Sequence, residues 1–179
     1  MTVALYIDEI YSPYLSMPVD CWGITRNAKL YQGDGPIIAH PPCGPWGRLY
    51  RLCKHQDASC GPRAVEQIRA ASRGVLEHPT GSKLWKACNL PPPSIGSMFW
   101  KEHGFTIQVD QSSFGHCCKK STWLWFWGIA PHTLPPTPPP KRPTAVISTS
   151  SSALRYATKK EARMTPPNFA TWLVSAVSL

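Results

Sequence analysis

The sequence predicts an α/β domain, a largely parallel sheet with flanking helices. Three observations carry that prediction. A short apolar, β-prone run from Val3 to Ile7 ("VALYI") opens the chain. A second run, Pro36 to His40 ("PIIAH"), is apolar on both faces, as strands of a buried parallel sheet are. After it come a helix and a third strand, and strand, helix, strand in that order is a right-handed crossover.

The elements follow in order. Asp8 and Glu9 close the first strand. Between Ile10 and Gly35, Pro13, Pro18, Gly23, Gly33 and Gly35 interrupt any long element. Pro62 to Arg73 sets Val65, Ile68 and Ala71 at helical intervals, with Pro62 early enough in the helix to be tolerated. Gly74 stops that helix, and Val75 to Pro79 is a strand running into a loop. Phe105 to Gln111 alternates as a strand does, Ser121 to Ile129 is a very apolar one, and a hairpin-like connection joins them. Residues 131–153, rich first in Pro and then in Ser, read as an exposed arm or mobile loop within a single domain, 1–179. Thr165 to Val177 is a closing helix, with Thr165 as N-cap and prolines in its first turn.

Bulk properties narrow the function. At 179 residues the chain fits one domain, and 42% hydrophobic residues with 8 Trp are enough to build a core rather than stay disordered. Nineteen Lys and Arg against ten Asp and Glu leave a formal charge of +9, which favours a polyanionic partner, or else simply keeps the chain soluble. No apolar run approaches the roughly 18 residues of a membrane span. The N-terminal segment carries acids where a secretion signal needs basic residues, and seven irregularly spaced cysteines suit a reducing cytoplasm.

Cys43 follows the second strand immediately, and Glu77 lies near the end of the third. Carboxyl ends of parallel strands are where α/β sheets place ligands and catalysts. Two such strands joined by one crossover set their ends side by side, so Cys43 and Glu77 can face one pocket, as a nucleophile and a proton donor. The plainer readings are a packing thiol and a carboxylate satisfied by loop amides. Zinc is the rival for the cysteines, through Cys43, Cys53, His55 and Cys60, or through His116, Cys117 and Cys118. Neither group has the C-x-x-C pairs that mark a zinc site, so no metal is expected. His40, His78 and His116 read as residues that orient loops. Most tryptophans read as core, whereas Trp22 and Trp46 sit beside Gly in loops and are candidates for stacking on a base.

"HPPC", His40 to Cys43, resembles the Pro-Cys loop of the cytosine-C5 DNA methyltransferases, whose cysteine attacks the base. "VLEHP" is similar to the family's Glu-Asn-Val element, which contacts the target cytosine. "VDQSSFGHCCKKSTWLWFWGI" looks like the family's later block: Phe114-Gly115 matches its aromatic-Gly pair, and Lys120 stands at its first Arg. Cys118 replaces its Gln, and Thr122 its second Arg. "ARMTPPNFATWL" is similar to the family's Arg-x-Leu-Thr-Pro segment through Arg163, Thr165 and Pro166. These segments also resemble small proteins of phages and prophages, which implies the cytoplasm of a bacterial host cell.

The resemblance implies a reduced Rossmann-like, methyltransferase-like sheet and a pyrimidine C5-modifying enzyme. Cys43 would add to C6 and Glu77 would hold or protonate N3, while Pro42, Trp46, Arg48, His78, Lys120 and Thr122 would border the substrate. Arg51 and Lys119 join Arg48 and Lys120 as candidates for phosphates. DNA, or a free pyrimidine nucleotide, would be the partner. The one-carbon donor would be S-adenosylmethionine or a reduced folate, with Asp8 and Asp20 approaching it. The family's Phe-x-Gly-x-Gly turn is absent after the first strand, and so is a large target-recognition domain. The alternative is therefore a non-catalytic protein that binds nucleic acid or nucleotide, or counters a host defence, on the same scaffold.

Overall fold

A computed structural model of the chain describes residues 1–47, 50–53, 57–93, 100–147 and 154–178. Six strands form its main sheet: β1 (Val3–Leu5), β2 (Asp20–Trp22), β3 (Ile37–Ala39), β4 (Gly74–Pro79), β5 (Phe105–Asp110) and β6 (Ser121–Trp127). Their order is β2-β1-β3-β4-β6-β5. The first four in that order are parallel, and β6 runs antiparallel to both β4 and β5. The α/β expectation holds in this mixed form, and "PIIAH" is the third strand rather than the second. β2 escapes the sequence pattern because it is three half-buried residues inside a stretch broken by Pro and Gly.

Alternation along the strands divides the core between two faces. On one face Val3, Leu5, Ile37, Ala39 and Leu76 pack with Ala64, Val65 and Ile68 of α1 (Cys60–Ala70). On the other, Ala4, Ile38, Val75 and Phe126 pack with Phe169, Leu173 and Val177 of a C-terminal helix. Short helices α2 (Leu84–Ala87), α3 (Trp100–His103) and α4 (Lys159–Arg163) precede that helix, α5 (Pro167–Ser178). Burying each large side chain here contributes roughly 1.5–3 kcal/mol, so α5 is held by packing rather than by helix propensity. The Pro166 carbonyl accepts from the amides of Phe169 and Ala170, so the cap lies one residue beyond Thr165.

The described part of the proline-rich segment is fastened to the body. Trp172 Nε1 donates to the carbonyls of Pro135 and Pro136, each at 3.2 Å. The amides of Thr144 and Ala145 both donate to the Cys117 carbonyl, and Ala145 is buried. Strand β7 (Ala145–Val146) then pairs in parallel with β8 (Arg155–Tyr156). Residues 148–153, the serine-rich end of the expected arm, lie outside the described residues.

Two features position the site. The carboxyl ends of β1, β3 and β4 lie at one edge of the sheet. The chain also runs from β1 to β2 on one side and returns to β3 on the other. A crevice opens outside strand ends where a sheet reverses in this way.

Gly104 shows how tightly the far side of the sheet is built. It has φ +70°, and a Cβ there would stand 2.2 Å from the Phe126 carbonyl oxygen. Gly81 has φ +77° with open space around its Cβ position. Gly104→Ala should therefore cost at least about 2 kcal/mol of unfolding free energy in urea titrations, and Gly81→Ala about 1 kcal/mol.

Candidate active site

His40 extends β3 by one more ladder bond, its amide donating to the Leu5 carbonyl at 3.0 Å. Pro41 and Pro42 have no amide hydrogen, so the ladder stops there. Cys43 follows in a helical conformation (φ −87°, ψ −15°), and its carbonyl accepts from the Trp46 amide to start a single 3-10 turn. The thiol is exposed. It faces a cleft of about 1120 Å³, which Pro42, His40, Glu77 and Lys120 also line.

Register explains why His40 and Glu77 meet. Ala39 pairs with Leu76 across β3 and β4, so the next residue of each strand emerges at the same level. His40 Nδ1 lies 3.1 Å from Glu77 Oε2, and Tyr14 Oη lies 2.9 Å from His40 Nε2. Gln111 Nε2 donates to Glu77 Oε1 at 3.0 Å and to Thr122 Oγ1 at 2.9 Å. Both carboxylate oxygens are thus engaged, and Tyr14, His40, Glu77, Gln111 and Thr122 form one continuous polar chain. Burial opposes the charged form of Glu77, but the hydrogen bond and charge of His40, then the charge of Lys120, outweigh it and hold its carboxyl at about 2. Glu77 is consequently a carboxylate at neutral pH, an acceptor for N–H groups. It becomes a proton donor only after taking a proton.

Cys43 moves the opposite way. The surrounding protein and then the Glu77 charge push its thiol up, with Lys120 partly offsetting them. The resting residue is a thiol rather than a thiolate.

Farther along the cleft, Tyr6, Asp8, Ile24, Asn27 and Lys29 line the ends of β1 and β2. Tyr6 adopts φ +59° where the chain leaves β1, and its hydroxyl donates to Gln67 at 2.7 Å. One Asp8 carboxylate oxygen accepts from the amides of Ile10 and Tyr11 and fixes the next turn. Over the mouth, α4 brings Lys159, Lys160 and Arg163. The Lys160 ammonium stands 4.1 Å above the Tyr11 ring, bridging the cleft.

The structure brings Cys43, Glu77, Pro42, Lys120 and Asp8 together, and sets other expected residues elsewhere. His78 is fully buried, because its side chain leaves β4 on the face opposite Glu77; Nδ1 pairs with Ser82 Oγ at 2.7 Å. Burial keeps it neutral by lowering its pKa to about 4. Thr122 is also fully buried and reaches the site only through Gln111. Trp46 packs toward α1, where a Cβ on Gly61 would meet its Nε1 at 2.8 Å. Asp20 pairs with Arg26 and accepts from Trp22 Nε1, while the Arg26 guanidinium covers the Trp22 ring. Lys119 lines a separate groove beside Lys141 and Arg142. Arg51 is exposed and donates to the Tyr50 hydroxyl. Arg48 and His55 lie outside the described residues.

Gln111 and Tyr14 were not foreseen. Gln111 had a legible signal, since it closes the alternating strand "FTIQVDQ" just before the aromatic-Gly pair. Tyr14 had none, because a buried tyrosine in a Pro-broken stretch reads as packing.

No protein-family model and no curated protein matches this chain. Among the described residues, no helix is long and apolar enough to cross a membrane.

Two measurements check the electrostatics. Removing the Glu77 charge should lower the Cys43 pKa, so Glu77→Gln should speed iodoacetamide alkylation of Cys43 at pH 7.5 several-fold, while Lys120→Ala slows it; peptide mass spectrometry reads the site. The Glu77–His40 contact contributes stability that is full above the unfolded carboxyl pKa of about 4.3 and is lost as pH falls toward 2. His40→Ala should cost about 3 kcal/mol at pH 7 by urea unfolding and clearly less at pH 3.

Proposed function

We propose that the protein modifies a pyrimidine at C5, with cytosine in DNA as the favoured substrate. The observation that carries this reading is the convergence of Cys43 and Glu77 on one cleft edge, with Lys120 beside them. A pyrimidine ring is electrophilic at C6 once negative charge developing on the ring is stabilised, and these groups suit the two tasks. The Cys43 sulfur adds to C6, and its proton leaves to solvent or to a neighbouring base. The Glu77 carboxylate accepts from the exocyclic amine, and after protonation it can donate to N3. Gln111 holds the other carboxylate oxygen and fixes the plane in which the base must lie. C5 then becomes the nucleophile. Carbon is captured there, the C5 proton is lost, and the C6–S bond breaks to release Cys43.

Lys159, Lys160 and Arg163 above the mouth, with Lys120 inside it, form a cationic rim suited to the phosphates of DNA. A base in a duplex must leave the stack to reach Cys43, and the cleft is large enough to admit it. The order β2-β1-β3-β4 follows the doubly wound order with one outer strand missing, which supports a reduced Rossmann-like reading.

The donor end fits less well. Tyr6 and the turn-fixing Asp8 occupy the place of the family's glycine turn, and Asp20 is spent on Arg26 and Trp22. Asn27, Lys29 and Asp8 are the polar groups that would meet S-adenosylmethionine or a reduced folate there, and no step is derived through either. The same misfit favours the second reading, a nucleic-acid-binding protein on this scaffold without catalysis.

Incubation with DNA containing 5-fluorocytosine separates the two, run in parallel with S-adenosylmethionine and with methylene-tetrahydrofolate. A covalent adduct with either donor, lost in Cys43→Ala, is the expected result and names the donor. DNA binding unchanged in Cys43→Ala, with no adduct and no altered nucleoside by mass spectrometry, establishes the non-catalytic reading instead.

A further inference from the structure

The loop between β5 and β6 carries a second cluster of chemically competent side chains. His116, Cys117 and Cys118 are consecutive, and a ring nitrogen and both sulfurs lie within 4.8 Å of one another. The two sulfurs are 3.7 Å apart. Two thiolates bound at about 2.3 Å to one tetrahedral zinc ion stand about 3.8 Å apart, so the pair already has the spacing of one edge of that tetrahedron. His116 is 3% exposed, and its Nε2 has no hydrogen-bond partner among the described residues. An orphaned buried nitrogen is costly unless something takes its lone pair or its proton. Its Nδ1 accepts from the Cys118 amide at 3.0 Å and stands 3.1 Å from the Cys118 carbonyl.

We propose that His116, Cys117 and Cys118 bind a zinc ion in a three-ligand site whose fourth position is open to solvent on the half-buried Cys117 side. Nε2 and the two thiolates are the ligands. Ligation through Nε2 moves the ring proton to Nδ1, which exchanges its bond from the Cys118 amide for one donated to the Cys118 carbonyl, the orienting contact that metal-bound histidines make. Binding releases the two thiol protons, and the zinc charge is balanced by two thiolates. The linear spacing of the cysteines concealed the site: vicinal ligands do not form the C-x-x-C pattern, and only the turn that follows Gly115 (φ +100°) brings their sulfurs to one side.

The site's position gives it a consequence. The His116 amide donates to the Gln111 carbonyl, and the Cys117 carbonyl holds Thr144 and Ala145. An ion here clips together the loop that ends at Lys120 and the returning proline-rich segment. It would thereby steady Gln111 and Lys120, and the inference stands whether or not the proposed reaction is correct.

Cobalt(II) titration of the full chain, reduced and stripped with chelator, tests this. One equivalent should give thiolate-to-cobalt charge-transfer absorption and the intense visible bands of tetrahedral cobalt, displaced by one equivalent of zinc. Cys117→Ser and His116→Gln should each weaken zinc binding at least about tenfold, while Cys43→Ser and Cys53→Ser leave it unchanged. Cys117 is only half-buried, so its serine variant should keep the wild-type far-ultraviolet circular dichroism, which is measured alongside. Absence of the charge-transfer band overturns the proposal. So does zinc affinity that is unchanged in Cys117→Ser or lost in Cys53→Ser.

Discussion

The contact between His40 and Glu77 is the constraint on which the candidate site rests. It joins the ends of two neighbouring parallel strands and keeps a buried carboxyl ionised at about 2 against the cost of its burial. Gln111 on the other oxygen extends the same bond network across β4 to the antiparallel pair. A carboxylate held at both oxygens cannot rotate, so whatever binds beside it meets a fixed acceptor. The same charge pushes the Cys43 thiol up and leaves it quiet in the resting protein. In the proposed reaction, a ligand that takes the Glu77 charge into its own hydrogen bonds would relieve Cys43 at the same moment.

Much of the sheet was legible because buried parallel strands and the antiparallel pair leave strong apolar runs. Ile37 to Ala39, Val75 to Pro79 and Ser121 to Trp127 fall where the pattern put them. β2 was not legible, since Asp20, Cys21 and Trp22 are half-buried at an edge and held by their partner strand rather than by their own propensity. The proline-rich segment reads as mobile by composition, yet Trp172, 36 and 37 residues away, donates to two of its carbonyls. Composition has no term for a hydrogen bond of that sequence separation.

Within the cleft, strand-end logic set Cys43 and Glu77 side by side, and both line it, because parallel neighbours share an edge. It misjudged His78, where alternation sends the side chain of the next residue to the opposite face. Trp46 next to Gly47 resembled a free stacking surface, but the complementary space left by Gly61 on α1 takes up its indole. The residues that complete the polar chain, Tyr14 and Gln111, come from segments far apart in sequence, and the closed sheet brings them to His40 and Glu77.

The two faces of β1 are completed at very different points along the chain. Val3 and Leu5 find Ala64, Val65 and Ile68 about sixty residues later, but Ala4 waits for α5, and Thr2 reaches Ser178 itself through a hydroxyl contact at 3.2 Å. During synthesis β1 is therefore made long before the helix that roofs one of its faces. One face of the sheet stays bare until α5 is made, and the loop closure that covers it spans everything between β1 and α5. Closure of this face therefore waits for α5, and a nascent chain stalled before Phe169 presents Ala4, Ile38 and Phe126 to whatever chaperone is near.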